Sequence, residues 1–408
     1  MVIARALADW AHSLTPTPDD RALAHRSLRD TLAVTLAAED HPLVDLARDL
    51  PEEARWAAIG HVLDFDDLHL PSTAHISVVC VPAVLAVGGS EEHYLAAAGV
   101  MARLGTALGW RHYTDGWHAT CTAGAPAAAV GAALALGLSP EGTATAMALA
   151  VPAAGGVQRA FGTDAKSLQV GFATHAGVRA ARLAASGVQT DPTALDQWFA
   201  LVGGDPDAFT PELLDPAAEA VPGGLATKIH PCCYAMQRPI GAVRALAEAV
   251  PDPAAVRLVE VETPGGTLHP LLHHRPTTGL QAKFSLEYAV ATALLDGHPG
   301  FASFTDEAAR RPEARRLVEA VRVRSTPGGD GLLDGVTTVH VTTEDGHRHS
   351  ATLDLPAGAP GRPADETALA AKFADCGPEV PAVLAGATWA TAPDLLRAHL
   401  SAPAVGAP

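Results

Sequence analysis

Apolar residues recur at helical spacing through the first half of the chain. Ile3, Leu7, Trp10 and Leu14 share one helical face, and Leu23, Leu28, Leu32 and Val34 do so more loosely, which predicts two amphipathic helices over 3–37. Similar patterns at 92–109, 121–137, 141–154, 169–186 and 191–202 are punctuated by Gly and Pro. Ser139-Pro140-Glu141 reads as a helix start with Pro in the first turn. The period changes after about residue 222. Residues 256–263 and 336–343 alternate like half-buried strands. Glu344-Asp345-Gly346 is a hairpin-turn signal leading to a return strand near 348–355. Residues 283–295 and 306–321 look helical, as does 365–400, while 355–364 and 401–408 read as a linker and a tail. No internal repeat is present. The predicted fold is mainly α: a large all-helical domain containing both termini (1–223 and 379–408) plus a smaller α+β lid domain (224–378).

Composition narrows the function. With 408 residues, 48% of them hydrophobic, the chain can bury a large interior. Aromatics are 5% while Ala and Gly abound, so close helix packing is expected. A formal net charge of −17 argues against nucleic acid as a partner, yet a few buried cations can still hold an anionic substrate. The five Cys give neither a disulfide framework nor zinc spacing. The amphipathic N-terminus lacks the apolar core of a signal peptide, and Pro126, Pro140 and Pro152 break the most apolar region, 122–157. A cytoplasmic protein with no membrane segment is expected.

Four constellations could carry chemistry. The first is His61-Val-Leu-Asp64-Phe-Asp66-Asp67-Leu-His69, followed by His75. Carboxylates so close repel, so each needs a donor, a cation or a shifted pKa. A metal site, the acid of a terpene cyclase, a catalytic loop and plain helix capping all stay open here. The spacing matches no standard zinc pattern, and aromatics are too few for a cyclase. The second is Trp117-His118-Ala-Thr120-Cys-Thr122, where Thr120 or Thr122 could cap the next helix, leaving an anion site beside His118. The third, Gly155 to Gln169, carries Arg159 and Lys166 but no phosphate-loop motif, so its content is two cations in a loop that enters a helix near Ser167. The fourth, Lys228-Ile-His-Pro-Cys232-Cys233, lies where the pattern turns from helical to mixed. His269, His273 and His274 read as an exposed loop.

Together these segments resemble the MmgE/PrpD family, which includes 2-methylcitrate dehydratase, cis-aconitate decarboxylase and iminodisuccinate epimerase. The likeness runs through the N-terminal helix pair, the Asp64-Phe-Asp-Asp67 motif and the Trp117-His118 loop. It continues through Gly162-Thr-Asp-Ala-Lys166, Lys228-Ile-His-Pro-Cys-Cys233 and Ala282-Lys-Phe-Ser-Leu-Glu-Tyr288. The resemblance implies catalysis without a cofactor or metal, a homodimer, and a site between the domains. It implies catalytic roles for His118, Lys166, His75, Lys228, Asp64 and Tyr288. Thr120, Arg159, Cys233 and His69 are assigned to substrate binding. Three positions depart from the family pattern. Leu68 stands where a Thr commonly follows the acidic motif. Cys233 stands where the decarboxylase has His. Lys166-Ser-Leu-Gln169 replaces Lys-Pro-Leu-His. These departures weigh against cis-aconitate decarboxylation.

The expected activity is that of a cofactor-independent hydro-lyase. It would take a proton next to a carboxylate and eliminate water from a hydroxy-polycarboxylate, with cations stabilising the enolate. An epimerase using the same carbanion, and a non-catalytic carboxylate-binding homologue, are the alternatives.

Overall fold

Small residues decide how the helices meet. A computed structural model describes residues 2–329 and 331–400; the tail predicted at 401–408 lies outside the described residues. The fold is mainly helical with one four-stranded sheet. Contacts group the chain into two units. Unit one takes the described parts of 1–159, 165–225 and 376–408, and unit two takes 160–164 and 226–375.

In unit one, helices Ile3–Ser13 and Pro18–Leu36 form where predicted. The second begins with a capping box: the Thr17 hydroxyl accepts from Asp20 N at 3.2 Å, and the Asp20 carboxylate accepts from Thr17 N at 2.8 Å. Helices Glu91–Thr114, Gly124–Ala135 and Pro140–Ala150 pack together through alanine-rich faces. No described helix is long and apolar enough to cross a membrane. Helix Asp164–Ala185, of unit one from residue 165 onward, runs close to helix Glu52–Val62. A Cβ on Gly171 would stand 2.4 Å from the Ala54 carbonyl oxygen, so this approach requires glycine. Helices Val380–Ala385 and Ala392–Leu400 return to pack on Pro18–Leu36.

Unit two is built on the sheet. Strands β1 (Val256–Pro264), β2 (Val321–Thr326), β3 (Thr337–Thr343) and β4 (Arg348–Leu353) lie in the order β2-β1-β3-β4. β1 is parallel to β2 and antiparallel to β3, and the predicted turn joins β3 to antiparallel β4. Helices Gln237–Arg244 and Leu286–Asp296 pack against each other, the former also on β3 and β4 and the latter on β2. The buried Arg238 guanidinium ties this unit, donating to the carbonyls of Leu333, Gly335 and Asp354 and to the Thr267 hydroxyl.

Several elements differ from the sequence reading. The helix predicted over 306–321 is two, Asp306–Arg310 and Pro312–Ala320, broken at Arg311-Pro312. Strand β2 starts at the very next residue and was not predicted. Helices Glu52–Val62 and Ser77–Leu85 were also missed. The helix expected over 121–137 divides into Ala119–Thr122 and Gly124–Ala135. His273 is also less exposed than expected: its backbone N–H donates to Phe284 O at 3.2 Å, and its Nε2 lies 3.0 Å from Phe161 O.

Candidate active site

Helix Glu52–Val62 carries His61 in its last turn, and the chain then turns sharply through the acidic motif. Asp64 takes the left-handed backbone conformation, φ 54°, uncommon outside glycine but tolerated by Asp. The turn sends Asp64, Asp66 and Asp67 to three different partners. The carboxylate repulsion anticipated from the sequence is relieved separately for each.

Asp64 Oδ1 accepts from Lys166 Nζ at 2.7 Å. Lys166 sits in the first turn of its helix with a side chain only 6% exposed. Its Nζ also donates to His61 Nε2 at 2.6 Å. That contact makes His61 Nε2 an acceptor, so Nδ1 carries the proton and donates to Asp66 Oδ2 at 2.8 Å. His75 Nδ1 lies 2.9 Å from the same oxygen. A continuous polar chain therefore runs from Lys166 through His61 and Asp66 to His75. The His61 and His75 rings meet edge to face at 4.7 Å, and the His118 ring stacks against His61 at 5.9 Å.

Burial shapes the electrostatics. It pushes the His61 imidazole down to about 4, Lys166 reinforcing the shift and Asp66 opposing it. His118 is held well below its ordinary range by burial, then by Lys166, His61 and His75. Burial resists ionisation of Asp66, but the adjacent imidazoles hold its carboxyl well below the usual range. Asp67 goes the other way: burial, then the charge of Asp30, pushes it up to about 7. Its carboxyl accepts from the Ser77 amide at 3.2 Å and from the Ser77 hydroxyl, at the start of helix Ser77–Leu85.

His61, Asp66 and His75 each offer a ligand atom, all within 4.8 Å of one another. The fit to a metal ion is poor. The nitrogens stand at hydrogen-bonding distance from one shared oxygen, and the Lys166 ammonium occupies the other ring nitrogen of His61. A divalent cation would have to separate the first set and tolerate the second.

The remaining residues singled out from the sequence fall into place as follows. His118 precedes helix Ala119–Thr122 and is buried beside this cluster. Thr120 and Thr122 lie inside that short helix, and the alanine-rich helix Gly124–Ala135 they were expected to cap opens on Ala123 with no side-chain cap. Thr120 instead accepts from the His75 amide at 3.0 Å, joining the two loops. Arg159 and Lys166 do not act as a pair: Arg159 is exposed, Lys166 buried. His69 spends both ring nitrogens on the fold, Nε2 donating to Pro222 O and Nδ1 facing the Ser72 hydroxyl, each at 2.7 Å. Lys228, Cys233 and Tyr288 belong to unit two and are buried there. The Cys233 amide donates to Lys283 O at 3.0 Å. The Tyr288 hydroxyl donates to Ser303 O at 2.6 Å, and burial raises its pKa. Three site-forming residues escaped the sequence assignment: His61, Asp66 and Gln169. The first two stand inside the acidic motif, and their five-residue spacing was the available signal. Gln169 was visible only as a departure from the family pattern.

Residues 51–202 match the model described as the MmgE/PrpD N-terminal domain, and residues 230–385 match the MmgE/PrpD C-terminal domain. A cis-aconitate decarboxylase of Aspergillus terreus is 26% identical over 347 residues, covering 74% of this chain and 69% of its own length. A cis-aconitate decarboxylase of Mus musculus is 24% identical over 356 residues, covering 77% and 68%. A cis-aconitate decarboxylase-like protein of Aspergillus oryzae is 28% identical over 220 residues, covering 48% and 46%. With both domain models matched over most of its length, the chain belongs to the MmgE/PrpD family.

Proposed function

We propose that this protein is a cofactor-independent lyase that removes a proton next to a carboxylate of a small hydroxy-polycarboxylate and expels water. The observation that carries the reading is the buried chain Lys166–His61–Asp66–His75 with His118 stacked against it. A proton on His75 Nδ1, facing Asp66, puts the lone pair on Nε2, the form a general base requires. The proton passes from substrate carbon to His75, and the electron pair enters the carboxylate as an enolate. The Lys166 ammonium offsets that charge in a site with little water. As the enolate collapses, the carbon–hydroxyl bond breaks, and the His75 imidazolium gives its proton to the departing hydroxyl. Water leaves and the base is regenerated. Asp64 holds Lys166 in place through the 2.7 Å ion pair. Family resemblance adds Lys228 and Tyr288 to the catalytic set and a homodimer as the assembly.

Decarboxylation of a related acid is the second reading, favoured by the names of the relatives above. It needs the same stabilised enolate, reached by loss of carbon dioxide. Cys233 stands where the decarboxylase has His, and Leu68 departs from the wider family pattern, so elimination is preferred.

Proton NMR in deuterated water with a panel of hydroxy- and unsaturated di- and tricarboxylates tests both readings. Water loss with deuterium entering the recovered substrate is the expected result. Carbon dioxide release would favour the second reading, and inversion without elimination would make the protein an epimerase. Absence of any turnover or exchange, with ligand binding retained, would leave only a carboxylate-binding role.

A further inference from the structure

His118 is held by a contact the reaction above does not use. Gln169, one helical turn beyond Lys166, places its side-chain Nε2 2.7 Å from His118 Nδ1. The amide cannot be turned over without loss. Its Oε1 accepts from the Val157 backbone N–H at 3.0 Å, and its Nε2 also donates to Val157 O at 3.2 Å. A backbone N–H only donates and a carbonyl only accepts, so these two contacts fix which end of the amide is the NH2 group. Val157 is itself held in place. Trp117 and Val157 form an antiparallel bridge, and the His118 amide donates to Gly156 O at 2.9 Å. Gly156 packs where a Cβ would come 2.7 Å from Cys121 Cβ. The Cys121 thiol lies 3.3 Å from the same His118 nitrogen, and burial holds it protonated. Both neighbours of Nδ1 are therefore donors.

We propose that Gln169 is a positioning residue that locks His118 as the neutral tautomer with its lone pair on Nδ1 and its proton on Nε2. His75 and His118 are then set to opposite tautomers by different partners, Asp66 for one and Gln169 for the other. This rests on the lyase reading for its consequence and on geometry alone for its substance. A neutral imidazole with Nε2–H does not take the substrate proton. It donates a hydrogen bond to an oxygen that gains negative charge, such as the carboxylate oxygen of the enolate, and keeps its own proton throughout. The division of labour follows: His75 moves the proton, and His118 polarises the acid whose carbon loses it.

The test is nitrogen-15 NMR on histidine-labelled full-length protein without substrate, His118 being assigned by its loss in His118→Gln. Expected in the wild type is an unprotonated Nδ1 and a protonated Nε2 at neutral pH. Gln169→Glu offers Nδ1 a carboxylate instead of a donor, so the proton moves to Nδ1 and the Nε2–H signal is lost. Gln169→Leu removes the bias, and the two tautomers mix. Unchanged His69 resonances report that the variants fold. A wild-type His118 protonated on Nδ1 overturns the proposal, with or without soluble variants. So does a tautomer unaffected by either substitution. Neither outcome depends on turnover, so failure here is distinct from failure of the lyase reading. Once a substrate is known, Gln169→Glu is expected to lower kcat more than it raises KM.

Discussion

Lys166 binds Asp64 and His61 with a side chain almost entirely removed from water, so its loss has two separable effects. Lys166→Ala abolishes turnover if the proposed chemistry is right. It also takes the ammonium away from the buried Asp64 carboxylate, at a cost of about 3–5 kcal/mol of stability, typical of a broken buried pair. Urea unfolding of Lys166→Ala and of the double variant Lys166→Ala/Asp64→Ala checks this: the double variant should recover much of the loss. Full activity in the single variant would refute the site. Asp67 makes a pH prediction of opposite kind. Its carboxyl ionises near 3.8 in a free chain and near 7 when folded, so the folded state keeps a proton that the unfolded state gives up between those values. Its stabilising contribution is complete below 3.8 and fades as pH rises to about 7. Asp67→Asn cannot ionise, so its stability relative to wild type should climb with pH, by on the order of 4 kcal/mol between acid and mildly alkaline solution. A constant difference across that range would show that burial does not hold the proton on Asp67. Of the residues themselves, the sequence exposed the charged ones and hid their partners. Asp64 and Lys166 are 102 positions apart, and only the turn at Asp64 and the start of a distant helix bring them together. Gln169 looks inert until Val157 fixes the direction of its amide.

At the level of elements, the close approach at Gly171 keeps helix Asp164–Ala185 near helix Glu52–Val62, the one carrying Lys166 and the other His61. Gly171→Leu must push them apart, at a cost of about 1–3 kcal/mol typical of overpacking. Turnover should fall with it, because the 2.6 Å contact between Lys166 and His61 cannot survive a comparable shift. Thermal unfolding and kcat measured together test this, and an unchanged kcat would mean the two helices do not set the site. Periodicity located the long amphipathic helices and the β3–β4 hairpin well, because burial differs between the two faces of each. It failed where that contrast is missing. Helix Ser77–Leu85 is buried along its whole length and contains Pro82, so neither period nor composition marks it. Strand β2 continues a helix without a loop, and its Val-Arg-Val-Arg alternation was absorbed into the end of the preceding pattern.

For the whole molecule, the fold class and the family were legible because many weak motifs occur in one order, whereas the break between units at 160–164 carries no compositional mark. The donor arrangement around Asp66 makes a further prediction: prolonged dialysis against a strong chelator should leave turnover unchanged. Loss of activity restored by a divalent ion would reverse the reading of His61, Asp66 and His75. The same cluster has a consequence for the thermodynamics of binding. Within unit one the Lys166 ammonium pairs with Asp64, a second carboxylate, Asp66, lies beyond His61, and His61 and His118 stay neutral. A polyanion arriving there meets a surplus of negative charge, and the inexpensive remedy is to draw a proton from the solvent. Binding heat should therefore vary linearly with the ionisation enthalpy of the buffer, with a slope of about one proton taken up. Titration calorimetry in two buffers at one pH would register that uptake, and equal heats in both would show that the site receives its ligand without it.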